Sequence, residues 1–375
     1  MSAIYYKKLE EVCEILDSRR VPITAKNRKT GIYPYYGANG LQDYVAEYIF
    51  DDELVLLAED GGNFGSKERP IAYRVSGKCW VNNHAHVLKA KPLVNADYLC
   101  YALMFYDTEG LVNGATRQKL TQTAMRQMMI PYRNMTEQLQ IADEINQVIR
   151  LIDKRKEELS LLDQLVKSRF IEMFGSGRYP TVKASEVCDF ITKGTTPPTG
   201  EITEKYEIGM IPYLKVYNLS FTGELLFDNM PQYISADTHN KQLARSKVLP
   251  NDVLMNIVGP PLGKFSLVTD EFSEWNINQA IAIFRAKDRV LPRYLMAALM
   301  QPNVLRPFLE QAVGIRQLNL SLEQCRNLEF PLPPIEEQRA FVELSEQTDK
   351  SKLAVEKSLK QLEILKKSLM QQYFG

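Results

Sequence analysis

Pro331-Leu332-Pro333-Pro334-Ile335-Glu336-Glu337-Gln338 opens a stretch that runs on through Lys367-Ser368 to Phe374-Gly375, and the chain has already carried that stretch once. Leu120-Thr121 corresponds to Leu320-Ser321, Arg126 to Arg326 and Pro131 to Pro331. Glu137-Gln138 corresponds to Glu337-Gln338, Lys167-Ser168 to Lys367-Ser368 and Phe174-Gly175 to Phe374-Gly375, always at an offset of 200 residues. The register holds without a gap over roughly 55 residues. Chance identities do not keep one register so long, and a repeat constrains architecture before any local signal does.

Working outward, the segments upstream of each copy correspond more loosely. Glu11-Val12-Cys13 echoes Glu186-Val187-Cys188, Pro34-Tyr35 echoes Pro212-Tyr213, and Gly61 and Gly65 echo Gly259 and Gly263. Trp80, Asn83 and Ala85 echo Trp275, Asn278 and Ala280, and Tyr98-Leu99 echoes Tyr294-Leu295. Gly114 with Arg117-Gln118 echoes Gly314 with Arg316-Gln317 after a slip of one residue. The chain is therefore a globular unit, a spacer, a second globular unit and a second spacer. Turn and core positions are kept between the globular units while the rest differs, which suits two variable readers on similar spacers.

The spacers read as helices. Ile141, Ile145, Val148, Ile152, Leu159, Leu162, Val166 and Met173 alternate in steps of four and three, with Arg155 and Arg169 in two slots of the same series. That is the seam of a coiled coil. In the second copy Phe341, Val355, Leu359, Leu362, Leu369 and Tyr373 take the same phase, interrupted by Ser345, Thr348, Lys352 and Lys366. Residues 136–174 would make a helix of roughly 58 Å at about 1.5 Å per residue. Pro333-Pro334 suits a helix's first turn, and Gly175-Ser176-Gly177 ends one. A lone helix would expose its seam, so the two are expected to pack together, antiparallel. A dimerisation coiled coil is the competing reading, but it leaves unexplained why each helix follows a similar globular unit.

Residues 1–133 and 178–333 read as mixed α and β, with spacer helices over 134–177 and 334–375. Leu54-Val55-Leu56-Leu57 and Ala280-Ile281-Ala282-Ile283-Phe284 have the density of buried strands. Glu59-Asp60-Gly61-Gly62-Asn63 and Gly194-Thr195-Thr196-Pro197-Pro198 punctuate them as turns. Helices are expected from Ala96 to Phe105 and from Arg293 to Met300. The fold class is α+β: two mixed units, two long helices in an antiparallel coiled coil, and an internal repeat of pseudo-twofold character.

Composition narrows the class further. The chain has 375 residues, 45% hydrophobic and 25% charged, ordinary for a globular protein. The N-terminal residues lack an apolar stretch of signal-peptide length, and the apolar run around Leu99 to Tyr106 is too short for a membrane span. Both point to a cytoplasmic protein without a membrane partner. Five cysteines, none in a C-x-x-C pair, read as free thiols. The net charge of zero counts against a uniformly basic nucleic-acid binder, so phosphate contacts would need basic residues gathered on one face or charge supplied by partner subunits.

Pro34-Tyr35-Tyr36-Gly37-Ala38-Asn39-Gly40 followed by Glu59-Asp60-Gly61, Lys193-Gly194-Thr195-Thr196-Pro197 with Ile211-Pro212-Tyr213, and the duplicated Pro…Glu-Gln helix start together resemble one family. It is the DNA-sequence specificity subunit of type I restriction–modification enzymes, and the resemblance covers nearly the whole chain. Tyr132-Arg133-Asn134-Met135 departs from it, standing where a proline-rich tract is usual. The resemblance implies that each globular unit is a target-recognition domain reading one half of a bipartite site in double-stranded DNA. It implies that the paired helices set the gap and dock two methyltransferase subunits, which bind S-adenosylmethionine and methylate adenine, and that motor-nuclease subunits cleave. The chain itself would contribute specificity and hold no cofactor.

Base reading needs side chains with paired donors and acceptors on loops that reach a groove. In the first unit the candidates are Asn39, Asn63, Ser66, Lys67, Arg69, Arg117, Gln118 and Lys119. In the second they are Lys193, Thr195, Thr196, Lys215, Tyr217, Asn218, Lys264, Arg316, Gln317 and Asn319. Arg117-Gln118 and Arg316-Gln317 recur in both copies, which suits phosphate contact better than sequence-specific contact. Each could instead be a solvated surface residue, and Tyr35 and Tyr36 read as core rather than as stacking platforms.

Catalytic signals are weak. His84-Ala85-His86 puts two imidazoles on one strand face, but no third metal ligand is apparent and the repeat places Gln279 and Ile281 there. Glu59-Asp60-Gly61-Gly62 has a counterpart, Ile257-Val258-Gly259-Pro260, without acids. Gly259-Pro260-Pro261-Leu262 lacks the flanking residues of a base-methylating Pro-Pro motif, and no phosphate loop is present. The expectation is a non-enzymatic subunit. An enzyme with an unrecognised site would act alone, and a coiled-coil scaffold with protein-binding heads would show no sequence-dependent affinity for DNA.

Overall fold

The computed structural model describes residues 5–114, 117–198, 200–259, 261–311 and 319–375. Contacts divide the chain into two compact units that do not follow its linear order: residues 1–156 with 357–375, and residues 157–356.

The first unit is built on a six-stranded sheet. Across it lie Cys13–Ile15, Ala85–Ala90, Phe50–Ala58, Ala72–Val81, Thr30–Gly37 and Gly40–Val45. All neighbours are antiparallel except Thr30–Gly37 and Ala72–Val81, where Tyr35 lies opposite Trp80 in a parallel pair. Strand side chains alternate between faces, so a run apolar at every position must be covered twice. Leu54-Val55-Leu56-Leu57 meets that condition. Val55 and Leu57 pack with Leu99, Cys100 and Leu103 of the helix Ala96–Met104, while Phe50, Leu54 and Leu56 pack with Val75, Val81 and Val87 on the other face. Asn95 caps that helix, its side chain accepting the Tyr98 N–H at 2.9 Å.

The second unit divides the same frame between two four-stranded sheets. One orders Cys188–Lys193, Ile281–Ala286, Val253–Asn256 and Phe265–Leu267; the other orders Tyr233–Ile234, Ile211–Leu214, Trp275–Ile277 and Lys247–Val248. Ala282 and Phe284 face one core, Ile281 and Ile283 another, as the period of two requires. Tyr213 lies opposite Asn276 in a parallel pair, so the counterpart strands pair in parallel as Tyr35 and Trp80 do, one residue out of register.

Two helices of 40 residues each, Met135–Phe174 and Ile335–Phe374, contribute to both units. The second starts on Pro333-Pro334. The first lacks those prolines and uses Asn134 instead, whose side-chain oxygen accepts the Glu137 N–H at 2.9 Å while its amide nitrogen donates to the Glu137 carboxylate at 3.0 Å. In the first unit Ile141, Ile145, Val148 and Ile152 are buried with Leu369 and Met370 and backed by Leu359 and Leu362. In the second unit Phe170 packs against Phe341 at 5.4 Å between ring centroids, and Lys352 pairs with Asp163. In each unit the end of one helix lies on the start of the other, so the pairing is antiparallel.

All ten slots of the second seam are buried or half-buried, its polar ones included: Phe341, Ser345, Thr348, Lys352, Val355, Leu359, Leu362, Lys366, Leu369 and Tyr373. On the first helix Leu159, Leu162 and Val166 are half-buried, while the fully buried anchors of its last turns are Phe170 and Phe174. Phe170 escapes the seam pattern because Arg169 holds the slot. Burial raises all five cysteine thiols, four to about 12 and Cys79 to about 11, and all five are unpaired. No helix among the described residues is long and apolar enough to cross a membrane.

Candidate nucleic-acid interface

The two units hold their reading loops on one duplicated frame. The Tyr98 hydroxyl donates to the Pro131 carbonyl at 2.9 Å, and the Tyr294 hydroxyl to the Pro331 carbonyl at 2.7 Å. The next strand end also repeats. The Leu120 N–H donates to the Glu59 carbonyl at 2.7 Å and Asp60 bridges Lys119; the Leu320 N–H donates to the Ile257 carbonyl at 2.8 Å and Val258 bridges Asn319. The residue that follows is Gly61 at φ +63° and Gly259 at φ +94°, a backbone region where a side chain is disfavoured.

In the first unit this corner gathers several sequence candidates. Asn39 donates its amide to the Gly61 carbonyl at 3.0 Å, and the Gly61 N–H donates to the Gln118 carbonyl at 3.1 Å. Arg117 donates to Asp60 at 2.6 Å, and Lys119 pairs with Glu59 at 3.0 Å. Arg117, Gln118 and Lys119 are exposed. Asn63, Ser66, Lys67 and Arg69 occupy the adjoining loop. There the Ser66 hydroxyl accepts the Glu68 and Arg69 N–H groups at 3.2 and 2.9 Å, and Asn63 reaches the Pro70 carbonyl at 3.4 Å. Lys67 and Arg69 project into solvent.

Beneath the corner lies a polar network that residue spacing did not reveal. His86 is fully buried, with Nδ1 at 2.7 Å from the Asp17 carboxylate and Nε2 at 2.9 Å from the Leu120 carbonyl. Both ring nitrogens face acceptors, a carboxylate on one side and a backbone carbonyl on the other. Arg20 donates to Glu59 at 2.6 Å and to the Ala85 carbonyl at 2.8 Å. Burial opposes ionisation of Asp17, but His86, the Val87 N–H and Gln122 outweigh it and hold the carboxyl below its ordinary range. Asp17, Glu59 and His86 are close enough to hold a cation. That place is served by Arg20 and Lys119, whose charges the two carboxylates already balance. His84 lies in the turn before the strand Ala85–Ala90, bonded to Asp60 at 2.6 Å, so the histidines do not share a strand face.

In the second unit Lys193, Lys264 and Asn319 sit at one end of the four-stranded sheet. Thr195 accepts the Tyr213 hydroxyl on its carbonyl and the Arg245 Nε on its side chain, both at 3.1 Å, and Thr196 is exposed beside it. Gly194 must be glycine, since a Cβ there would lie 2.1 Å from the Asn278 carbonyl oxygen. Lys215 and Tyr217 are half-buried. Asn218 is fully buried, with its amide spent on the Lys215 N–H and the Leu226 carbonyl; it shapes the turn and does not reach a ligand. Arg316 and Gln317 lie outside the described residues.

Each unit thus offers exposed donors on loops fastened to a common frame, an arrangement suited to recognition. The family model for the type I restriction modification DNA specificity domain matches twice, over residues 2–161 and 178–364, and the chain belongs to that family. Among curated relatives, a protein of Haemophilus influenzae provisionally named a type I restriction enzyme specificity subunit is 25% identical across 98% of this chain and 96% of its own. The type I restriction enzyme MjaVIII specificity subunit of Methanocaldococcus jannaschii is 21% identical across 97% and 90%. The S subunit of a type I restriction–modification system from M. genitalium shares the fold, with a TM-score of 0.59 at 13% identity over 100% of this chain and 96% of that one. A chain from a study of complex assembly in a type I system gives 0.57 at 16% identity over 100% and 98%.

Proposed function

We propose that this chain is the DNA-reading subunit of a type I restriction–modification enzyme and works in the cytoplasm. Each unit reads one half of a bipartite site in double-stranded DNA, and the paired helices fix the spacing between halves. Two methyltransferase subunits and the motor-nuclease subunits assemble on it. Those partners bind S-adenosylmethionine, methylate adenine and cleave; this chain supplies specificity and no chemical step. The supporting observation is the duplication itself. Tyr98 and Tyr294, Gln138 and Gln338, and the Asp60–Lys119 and Val258–Asn319 bridges recur one for one, while the loops they carry differ in length and sequence. A frame kept twice with different loops is what two readers of different half-sites need.

The test is long-read mapping of methylated adenine in cells with and without this gene. Loss of methylation at one split motif is the expected result. If no motif is lost, and none is gained on co-expression with a methyltransferase subunit, the proposal fails.

A further inference from the structure

We propose a DNA-binding cleft in the first unit, between the loop of residues 21–29 and Arg117, in which Gln42 reads a base edge while Lys26 and Lys29, on the loop that forms one wall, hold phosphates beside it. The inference rests on the DNA-reading function proposed above. It begins from a correspondence between the units. Tyr213 fastens Thr195 through its hydroxyl, and its counterpart Tyr35 fastens Ile23 in the same manner, accepting the Ile23 N–H at 3.4 Å and donating to the Ile23 carbonyl at 3.2 Å. Residues 21–29 therefore occupy in the first unit the place that the Lys193-Gly194-Thr195-Thr196 segment occupies in the second.

The loop is tied down along its length. Trp80 donates to the Val21 carbonyl at 2.6 Å. Arg28 stacks over the Tyr35 ring at 4.1 Å and bonds the Ile23 carbonyl at 3.3 Å and Asp43 at 3.3 Å. A loop held this way loses little further freedom on binding. Residues 17–29 contain five cations, of which Arg19, Arg20 and Arg28 pair with Asp52, Glu59 and Asp43, leaving Lys26 and Lys29 as the uncompensated charges. Lys26 and Lys29 are exposed and have no acidic partner among the described residues.

The cleft beside it, about 530 Å³, is lined by Thr24 and Arg28 of the loop, by Gln42 and Asn82, and by His84 and Arg117. Asn82 is buried. Its side-chain oxygen accepts the His84 N–H at 2.8 Å, and its nitrogen donates to the Gln42 side-chain oxygen at 3.1 Å. That fixes which way round the exposed Gln42 amide is held. Its nitrogen and one oxygen lone pair stay uncommitted, the donor–acceptor pair that suits an adenine edge in the major groove.

The test uses the complex reconstituted with its methyltransferase subunit and synthetic duplexes carrying the mapped motif, the motif with single base changes, or a scrambled sequence. Affinity is measured across salt concentration. Lys26→Ala/Lys29→Ala is expected to weaken binding to all duplexes alike and to flatten the log–log salt slope by about 1.8, for two phosphate contacts at about 0.9 each. Lys26→Arg/Lys29→Arg should restore it. Gln42→Ala is expected to lose about tenfold or more in affinity and to relax discrimination at one base pair of one half-site only. Because Lys26 and Lys29 are exposed, melting temperatures of their variants should not move. Gln42→Ala removes the acceptor of the buried Asn82 amide and should melt somewhat lower, so its deciding readout is the loss of preference at one base pair, which lost stability alone does not produce. An unchanged slope, an unchanged base preference, or relaxation in both half-sites overturns the assignment while leaving the DNA-reading function standing. A wild-type complex with no preference for the motif overturns both.

Discussion

The side-chain oxygen of Gln138 accepts the backbone N–H of Asn95 at 2.8 Å, joining the first turn of a long helix to the residue that caps the helix Ala96–Met104. The Gln138 nitrogen donates to the carbonyls of Leu93 at 3.1 Å and Arg133 at 2.8 Å, so the amide is fully used and fully buried. Gln338 repeats the pattern with Leu291, Arg289 and Pro333 at 2.9, 3.1 and 2.9 Å. This three-way clamp fixes the first turn of each long helix to the globular residues that precede it.

Replacing either glutamine by alanine strands one N–H and two carbonyls in a buried site. An unpaired buried group costs about 1–3 kcal/mol, and the total should lie in the upper part of that range or above it. Gln138→Ala and Gln338→Ala are each expected to lower urea-unfolding stability by about 3 kcal/mol, with hydrogen-exchange protection lost around 93–95 or 289–291 respectively. A change below about 0.5 kcal/mol would mean that water substitutes for the amide.

The last residue of each long helix packs on a tyrosine of a shorter helix, Phe174 within the second unit and Phe374 within the first. Phe174 packs edge-on to Tyr294 at 5.1 Å and is fully buried, and Phe374 packs on Tyr98 at 5.1 Å but is only half-buried. Phe174→Ala is therefore expected to cost about 3–5 kcal/mol and Phe374→Ala distinctly less, about 1–3 kcal/mol. Chemical denaturation of the two variants checks the order, and a reversed order would contradict this account of the anchoring.

Much of this frame was legible in the sequence, and the reasons are local. The 200-residue offset exposed Gln138 and Gln338, and the doubly covered strand Leu54-Val55-Leu56-Leu57 declared itself by having no polar alternate. Asn218 misled because a buried turn-forming asparagine and a base-reading one have the same local sequence. Residues 21–29 went unnoticed because the tyrosine that equates them with Thr195 acts across the sheet, and nothing in the linear order joins Ile23 to Tyr35. The Asp17–His86–Glu59 network was hidden likewise, since its members are 27 to 69 residues apart.

Lys366 occupies a seam slot of the second long helix, and burial followed by the nearby charge of Lys156 holds its ammonium below the ordinary lysine range. A lysine that is harder to charge when folded destabilises the fold wherever the unfolded chain binds the proton. Stability then rises as pH climbs through the folded value toward the ordinary lysine pKa of about 10.4. Lys366→Met keeps the length of the side chain and removes that conflict. The variant is expected to melt about 2 °C higher at pH 7 and to show a smaller alkaline gain than wild type. Melting curves from pH 7 to 10 check both, and a lower melting temperature at pH 7 would show that the charge stabilises the seam.

Asp17 has the opposite sign. Burial alone would raise its carboxyl, yet His86, the Val87 N–H and Gln122 hold it below the ordinary value of 3.8. A carboxylate depressed on folding contributes its full stabilisation above the unfolded pKa and loses it as pH falls through the folded one. Its contribution should therefore be constant from pH 7 to about 5 and drop away below about pH 4. Asp17→Ala removes the carboxylate that His86, the Val87 N–H and Gln122 all bond, and stranding buried groups of that kind costs about 1–3 kcal/mol. The variant should be less stable than wild type at pH 7, and the gap should narrow as wild type is acidified below pH 4. Because the Leu120 carbonyl accepts from the same ring, the loosening should reach Arg117 and Lys119 and weaken DNA binding without altering which bases are preferred. Unfolding free energies at pH 7, 5 and 3.5, with binding measured at pH 7, test the whole chain of reasoning. A gap that stays constant down to pH 3.5 would remove Asp17 as its source.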